Sequence, residues 1–301
     1  MKQYDRHPLK GAFLLLLATL IWGVSFVFQS KGNDLTGPLI FNLLRCLTAS
    51  VTAFVLLKAA PDSGQNGRDR SAAAGICSGI TTFLMTALLQ LGMAYGTAVG
   101  KAGFLSATAV IMVPLIGILQ GRREPWNTWT AVFMTAAGMY LLCFHGTLTL
   151  AFSDLLILLS ALASALQILI LDHFRDSFRA PRVAFLQFVT AAVLSLLSVL
   201  VFERPASLSE EIRLLIQPAV IIAVLYAGVL SSGVGYTLQI QSHKYLEPAV
   251  ISVLMCFESV FAALAGWLLL HEVLTGRELA GCILIFLAAV LSQLSFGRER
   301  A

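Results

Sequence analysis

Apolar residues recur along the chain in runs of about twenty, each long enough to cross a ~30 Å hydrocarbon layer as a helix. The runs cover 11–29, 38–57, 72–93, 98–120, 127–144, 153–171, 183–202, 215–239, 247–270 and 277–296. They leave no stretch for a soluble domain. The pattern predicts an all-α polytopic membrane protein with ten transmembrane helices. Lys2, Arg6 and Lys10 precede the first run as they would a signal peptide. That run is longer than a signal core of about 7–15 residues, and no small-residue cleavage site follows cleanly. It reads as a retained helix.

Composition agrees. Charged residues make up 12% of the chain and hydrophobic ones 58%, against roughly 25% charged in an average soluble domain. The net charge of +4 is a topology signal. With the N-terminus inside, the inner segments hold Lys2, Arg6, Lys10, Lys58, Arg68, Arg70, Arg122, Arg123, Arg175, Arg179, Arg182, Lys244, Arg298 and Arg300. The outer ones hold Lys31, Lys101, Arg204, Arg213 and Arg277. The excess of basic residues predicts a multi-pass protein of the cytoplasmic (inner) cell membrane with both termini cytoplasmic. No basic run with interleaved aromatics points to nucleic acid. Cys46, Cys77, Cys143, Cys256 and Cys282 all fall inside the runs without a C-x-x-C and read as small packing residues, with no metal, disulfide or cofactor role.

The chain also repeats itself. "LRCLTASV" (44–51) aligns with "LQFVTAAV" (186–193), Gly79 through Gln90 with Gly228 through Gln239, and Glu124 with Glu272. The offsets are 142, 149 and 148 residues, and they shift where the loops between the second and third spans differ in length. Residues 1–146 and 147–301 thus form two repeats of five crossings. An odd number of crossings per repeat makes the repeats inverted, a common design among secondary transporters.

Several strings resemble the EamA-type transporters of the drug/metabolite transporter superfamily. They are "IWGVSF" (21–26), "RCLTA" (45–49), "GKAGFLSATAVIMVPLIGILQG" (100–121) and, most specifically, "FESVFAALAGWLLLHEVLTGRELAGCILIFLAAVL" (257–291). The resemblance covers nearly the whole chain. It implies ten helices in two five-helix repeats around a central cavity that carries small organic metabolites or drugs, often outward. One departure stands out: the family's Glu-Pro-Val is Glu258-Ser259-Val260 here, so a proline kink is not carried over. Lys101 occupies the family's K-A-G-F position, whose role varies among relatives.

Polar residues on one helical stripe mark a lining face or interhelical glue. Trp22, Ser25 and Gln29 fall at i, i+3 and i+7, and their repeat mates are Ser164, Gln167 and Leu171. Arg45 shares a stripe with Asn42, Ala49 and Thr52, roughly 10 Å inside the second span; it reads either as an anion-capturing residue or as a structural or snorkelling arginine. Glu258 lies ~21 Å deep, near the midplane. It is either a hydrogen-bonded structural acid or a transport acid binding a cationic substrate or a coupling proton. Lys101, aligned with Thr108 at i+7, reaches outer headgroups or faces the cavity mouth. Gln90 and Gln239 are repeat mates; Gly233 and Gly235, ahead of Tyr236, admit close packing or a broken helix. Small-residue pairs at Gly75/Gly79 and Ala262/Gly266 imply helix contact, and His145 and His271 read as interface histidines.

"GTAVGK" (96–101) is too short between its glycines for a P-loop and lacks the Ser or Thr. "HEVLT" (271–275) lacks the second His of a zinc protease helix. No catalytic set appears, so the chain reads as a non-enzyme: a secondary transporter of a small organic molecule, with the bilayer as its other partner. The competing classes are a channel or scaffold and an intramembrane enzyme. The expected lining suits a zwitterion such as an amino acid as well as a drug cation, and leaves oligomeric state open.

Overall fold

The computed structural model describes residues 7–35, 37–60, 69–97, 99–122, 125–143, 151–202, 217–270 and 275–298, with the side chains of 26–35, 99–100, 269–270 and 293–298 outside the description. Among these residues there is helix and no strand. The elements are α1 (Pro8–Leu35), α2 (Pro38–Ala59), α3 (Ser71–Ala94), α4 (Val99–Ala107), α5 (Ala109–Leu119), α6 (Trp126–Cys143) and α7 (Phe152–Phe174). There follow a 3₁₀ turn (Arg175–Ser177), α8 (Ala180–Phe202), α9 (Pro218–Leu225), a π-helix (Tyr226–Gly235) and α10 (Tyr236–Ser242). The chain closes with α11 (Pro248–Met255), α12 (Phe257–Leu270) and α13 (Gly276–Arg298). Among the described residues, eight helical segments are long and apolar enough to cross a membrane, and α6 and α13 are two further long helices. Prolines open α2, α9 and α11, where the missing N–H removes no helical bond. Glu124, Glu272, His145 and His271, on which part of the sequence reading rests, lie outside the described residues.

Helix α2 packs on α8, α6 on α13, and α3 on both α7 and α8. Helix α1 packs on α12 and on the α9–π–α10 run, which also touches α2, while α4 and α5 pack on α7. The α6–α13 crossing is as close as backbones allow. A Cβ on Gly138 would sit 2.9 Å from the Gly281 carbonyl oxygen, and one on Gly281 2.7 Å from that of Gly138. Gly75 and Gly79 likewise lie against α8 at Leu186 and Thr190.

Two spans are broken. α4 gives way to α5 at Thr108, whose hydroxyl donates to the Leu105 carbonyl at 2.6 Å, a local bond that competes with the helical ladder. α11 gives way to α12 at Cys256, whose N–H donates to the Val253 carbonyl at 3.2 Å. The second break sits beside Glu258-Ser259-Val260, where the chain has no proline.

Two buried aspartates fix α7 to its neighbours. At one end, Asp154 accepts from Lys101 Nζ at 2.5 Å, from the Thr97 hydroxyl at 3.0 Å and from the Ala151 N–H at 2.7 Å. At the other, Asp172 meets Arg122 at 2.6 Å and Arg175 at 3.3 Å. The two acids are 18 residues apart, five full turns at 3.6 residues each, so they share one face of α7. That face carries α4–α5 along its length, clasped at top and bottom.

The Asp172 end of the bundle gathers further cations. Lys10 lies over Tyr245, Arg70 over Phe174 and Lys244 over Phe178. Asp69 pairs with Arg182 and accepts the Ser71 N–H at 2.9 Å, tying the start of α3 to α8. Burial works to raise the Asp69 carboxyl; the Ser71 hydroxyl and N–H and the Arg182 guanidinium outweigh it and hold the group below its ordinary value. A carboxyl lowered in the folded state stabilises above its unfolded pKa of about 3.9, and that contribution fades as pH falls through the folded value. The melting temperature of the purified protein should therefore exceed that of Asp69→Asn at pH 7, and the gap should close as the pH is lowered through 4 to 3. A gap independent of pH would contradict this assignment.

Candidate functional site

The bundle encloses a cavity of about 160 Å³, room for on the order of ten water molecules. Its walls come from α1, α2, α3, α4–α5, α6, α7, the π-helix with α10, and α11–α12. Most of the surface is apolar, with Met85, Met93, Met139 and Met255 among the lining; methionine is adaptable and polarisable. Set into it are Arg45, Glu258 and a group of hydroxyls that includes Ser106, Ser160 and Ser231.

The π-helix shapes one wall. Wide i→i+5 turns of this kind are rare and concentrate at functional sites. Side chains from two other helices hold it. Trp22 Nε1 donates to the Ser231 carbonyl at 2.8 Å, and Arg45 Nε donates to Ser232 Oγ at 2.6 Å. Trp22 also lies 5.0 Å from the Tyr236 ring, which in turn meets Phe188 edge-on at 5.3 Å. A Cβ on Gly235 would fall 2.6 Å from Trp22 Nε1, so glycine is what lets the indole reach the helix. The glycine-rich stretch therefore serves close packing, and the helix changes pitch there.

Glu258 stands in the first turn of α12, half-buried, at the cavity wall. It forms no hydrogen bond and no ion pair with any described residue. Arg45 faces the same cavity, 8% exposed, without an ion-pair contact to it. The site thus offers a solute one anionic and one cationic group in a largely apolar chamber.

Of the residues expected to line a cavity, Trp22, Arg45, Ser164, Tyr236 and Glu258 do so. The others stand elsewhere. Lys101 is bound to Asp154 and lies neither among the cavity residues nor free for headgroups; the buried carboxylate captures it. Thr108 is spent on the helix break. Gln167 is three residues beyond Ser164, about 60° round the helix, and its amide donates to Thr82 Oγ1 at 2.7 Å. Gln239 is fully buried and its amide points to Met255 Sδ at 3.5 Å. Ser25 and Gln90 are buried outside the lining, and the Gln29 side chain is outside the description. Sequence reasoning passed over Ser106, Ser160 and Ser231, because a serine on a helix facing a neighbour and one facing a cavity look alike. It also passed over Asp154 and Asp172, whose spacing of five turns was the available signal.

A chain of membrane-length helices around a polar-studded chamber is the build of a multi-pass membrane transporter. The EamA-like transporter family model matches this chain twice, over residues 9–144 and 151–294, and the chain belongs to that family. It is 27% identical over 281 residues to a protein of Archaeoglobus fulgidus named an uncharacterized transporter, covering 93% of this chain and 84% of that one. It is 23% identical to the uncharacterized transporter YoaV of Bacillus subtilis, covering 95% and 97%. A solved crystal structure superposes with a TM-score of 0.76 over 97% of this chain and 99% of the other, at 17% identity, which is a likeness of fold.

Trp22→Phe keeps the ring against Tyr236 and removes the N–H that holds the π-helix. It should lower stability by about 1 kcal/mol, read as the shift of thermal unfolding in detergent. No shift would mean that this bond does not hold the segment.

Proposed function

We propose that the protein is a secondary transporter that exports a small organic metabolite or drug across the cytoplasmic membrane by alternating access, with Glu258 as the group that binds a cationic centre or a coupling proton. The observation that carries this reading is Glu258 itself: an intramembrane carboxylate, in a cavity, with no ion-pair or hydrogen-bond contact among the described residues and with Arg45 on the same cavity wall. Such a group is retained against its cost in hydrocarbon where it has a ligand to meet. Arg45 beside it suits the opposite end of a zwitterion such as an amino acid. Export follows the habit of the transporters the sequence resembles.

Alternating access asks for two interchangeable halves, and several features support a ten-helix inverted repeat of 1–146 and 147–301. The helix breaks at Thr108 and Cys256 stand one repeat offset of 148 apart. Exchanging the two halves maps the contacts onto one another. The α3–α7 contact corresponds to that of α9–π–α10 with α1, and α4–α5 on α7 corresponds to α11–α12 on α1. The α2–α8 and α6–α13 pairs map onto themselves. The two matches to the family model fall one in each half.

The test starts with a thermal-shift screen of the purified protein against amino acids, nucleosides, sugars and organic cations, followed by liposome flux on the hits. The reading expects saturable flux with counter-flow exchange. Ohmic current would replace it with a channel, and product formation in detergent with an enzyme. Glu258→Gln should insert and purify as the wild type does and lose at least tenfold of pH-gradient-driven flux; unchanged flux would remove Glu258 from the mechanism.

A further inference from the structure

Between the cavity and the Asp172 end of the bundle lies a wall built by the lower halves of α7, α10 and α11. Ser164 and Ile168 of α7, Tyr236 of α10 and Ser252 of α11 are the cavity residues nearest to it along their helices. To seal a membrane such a wall needs only apolar side chains, and it has some: Ile168, Leu171 and Ile240 are all buried. Yet polar side chains stand in it as well, among them Gln167, Gln239 and His243, each fully buried.

Their hydrogen bonding is half complete. Gln167 donates to Thr82, and its Oε1 has no partner among the described residues. Among the described residues the Gln239 amide donates to the thioether of Met255 at 3.5 Å, a weak acceptor, and its Oε1 is likewise without a partner there. His243 Nδ1 lies 2.9 Å from the Gln239 carbonyl, while Nε2 has no partner at full hydrogen-bond geometry among the described residues, with the Ile168 backbone near the ring. The ring stands beside Ile168 and within electrostatic reach of Asp172 and Arg175.

These positions form a line. Tyr236 and Gln239 of α10 and His243, just past its last residue, descend about one turn at a time, roughly 10 Å in all at 1.5 Å per residue. Ser164, Gln167 or Ile168, and Asp172 descend α7 over roughly 12 Å, and the two rows meet where His243 stands near Ile168 and Asp172. The line starts at the cavity and ends at the Arg122–Asp172–Arg175 cluster, where Arg122 is a quarter exposed. Buried acceptors left open in this way are destabilising unless water completes them, and buried water sits where two or more polar groups converge.

We infer that Gln167, Gln239 and His243 form a hydrated path through this wall, joining the cavity to the Asp172 end, with water as the resident ligand. The hydration stands on geometry alone; its use as the proton or substrate route of a transporter rests on the function proposed above. In that use the wall opens without baring dry hydrocarbon, because the groups that must face water on opening already bind it when closed. Gln239, adjoining both Met255 and the His243 contact, is the residue that joins the chamber to the path.

Two measurements on the full chain in lipid nanodiscs test this. In hydroxyl-radical footprinting by pulsed radiolysis of water, His243 should be modified at least ten times faster than Phe41, an equally buried aromatic residue packed among Val220, Ala223, Val224 and Ala227. In thermal unfolding, Gln239→Met should melt at or below the wild-type temperature, since it strips a group that holds water. In a dry wall the same change deletes an unpaired acceptor and raises the melting temperature by several degrees. Modification of His243 at the Phe41 rate, or such a rise, would overturn the path. Neither readout involves flux, so this inference and the proposed function can fail separately.

Discussion

The structure depends on how charge is neutralised inside hydrocarbon. Asp154 and Asp172 are 1% and 0% exposed, and a bare carboxylate at such a position would be costly enough to unfold its surroundings. Each is met by cations and hydrogen-bond donors from elsewhere in the chain. Because both sit on one face of α7, the two clusters also set geometry, holding α4–α5 parallel to α7 along its length. That pair forms one side of the cavity. Removing Asp172 would take the carboxylate away from the buried Arg175, which is the expensive way to break such a cluster.

Against that background Glu258 differs in kind. The aspartates of α7 are closed structural units whose lone pairs are occupied. Glu258 faces a chamber, next to a break in its helix, with neither a donor nor a cation in contact among the described residues. Arg45 braces the π-helix through Ser232 and also reaches the cavity wall. Asp154 and Asp172 hold helices together; in the function proposed above, Glu258 is the charge that meets the solute.

Much of the fold could be read from the sequence because hydrocarbon imposes simple rules. Spans must be long, apolar and helical, and the runs from 11–29 through 277–296 announce themselves on that ground. Glu258 and Trp22 could be singled out because an acid at midplane depth and an indole on a polar stripe are unusual. Lys101 could not be placed, since its position is set by Asp154, 53 residues away, and pairing at that distance leaves no local pattern. Gln239 is marked in the sequence as the repeat mate of Gln90, which says nothing of where its side chain turns, and Gln167 stands outside the cavity for a different reason. A stripe drawn at i, i+3 and i+7 spans more of the helix surface than one cavity occupies, so residues at its edge turn to neighbouring helices. The π-helix was invisible: Gly233 and Gly235 signal close approach, but nothing local distinguishes a packed α-helix from one that has widened.

The central claim is that Glu258 is the intramembrane acid left free to exchange a proton or bind a cation, while Asp154 and Asp172 are locked in structural pairs. Infrared difference spectroscopy of the protein in lipid, titrated between acid and neutral pH, tests it directly. The account predicts a carboxyl C=O band that appears and disappears with pH in the wild type, is missing from Glu258→Gln, and survives in Asp154→Asn. A titrating band that persists in Glu258→Gln and vanishes in Asp154→Asn would contradict it.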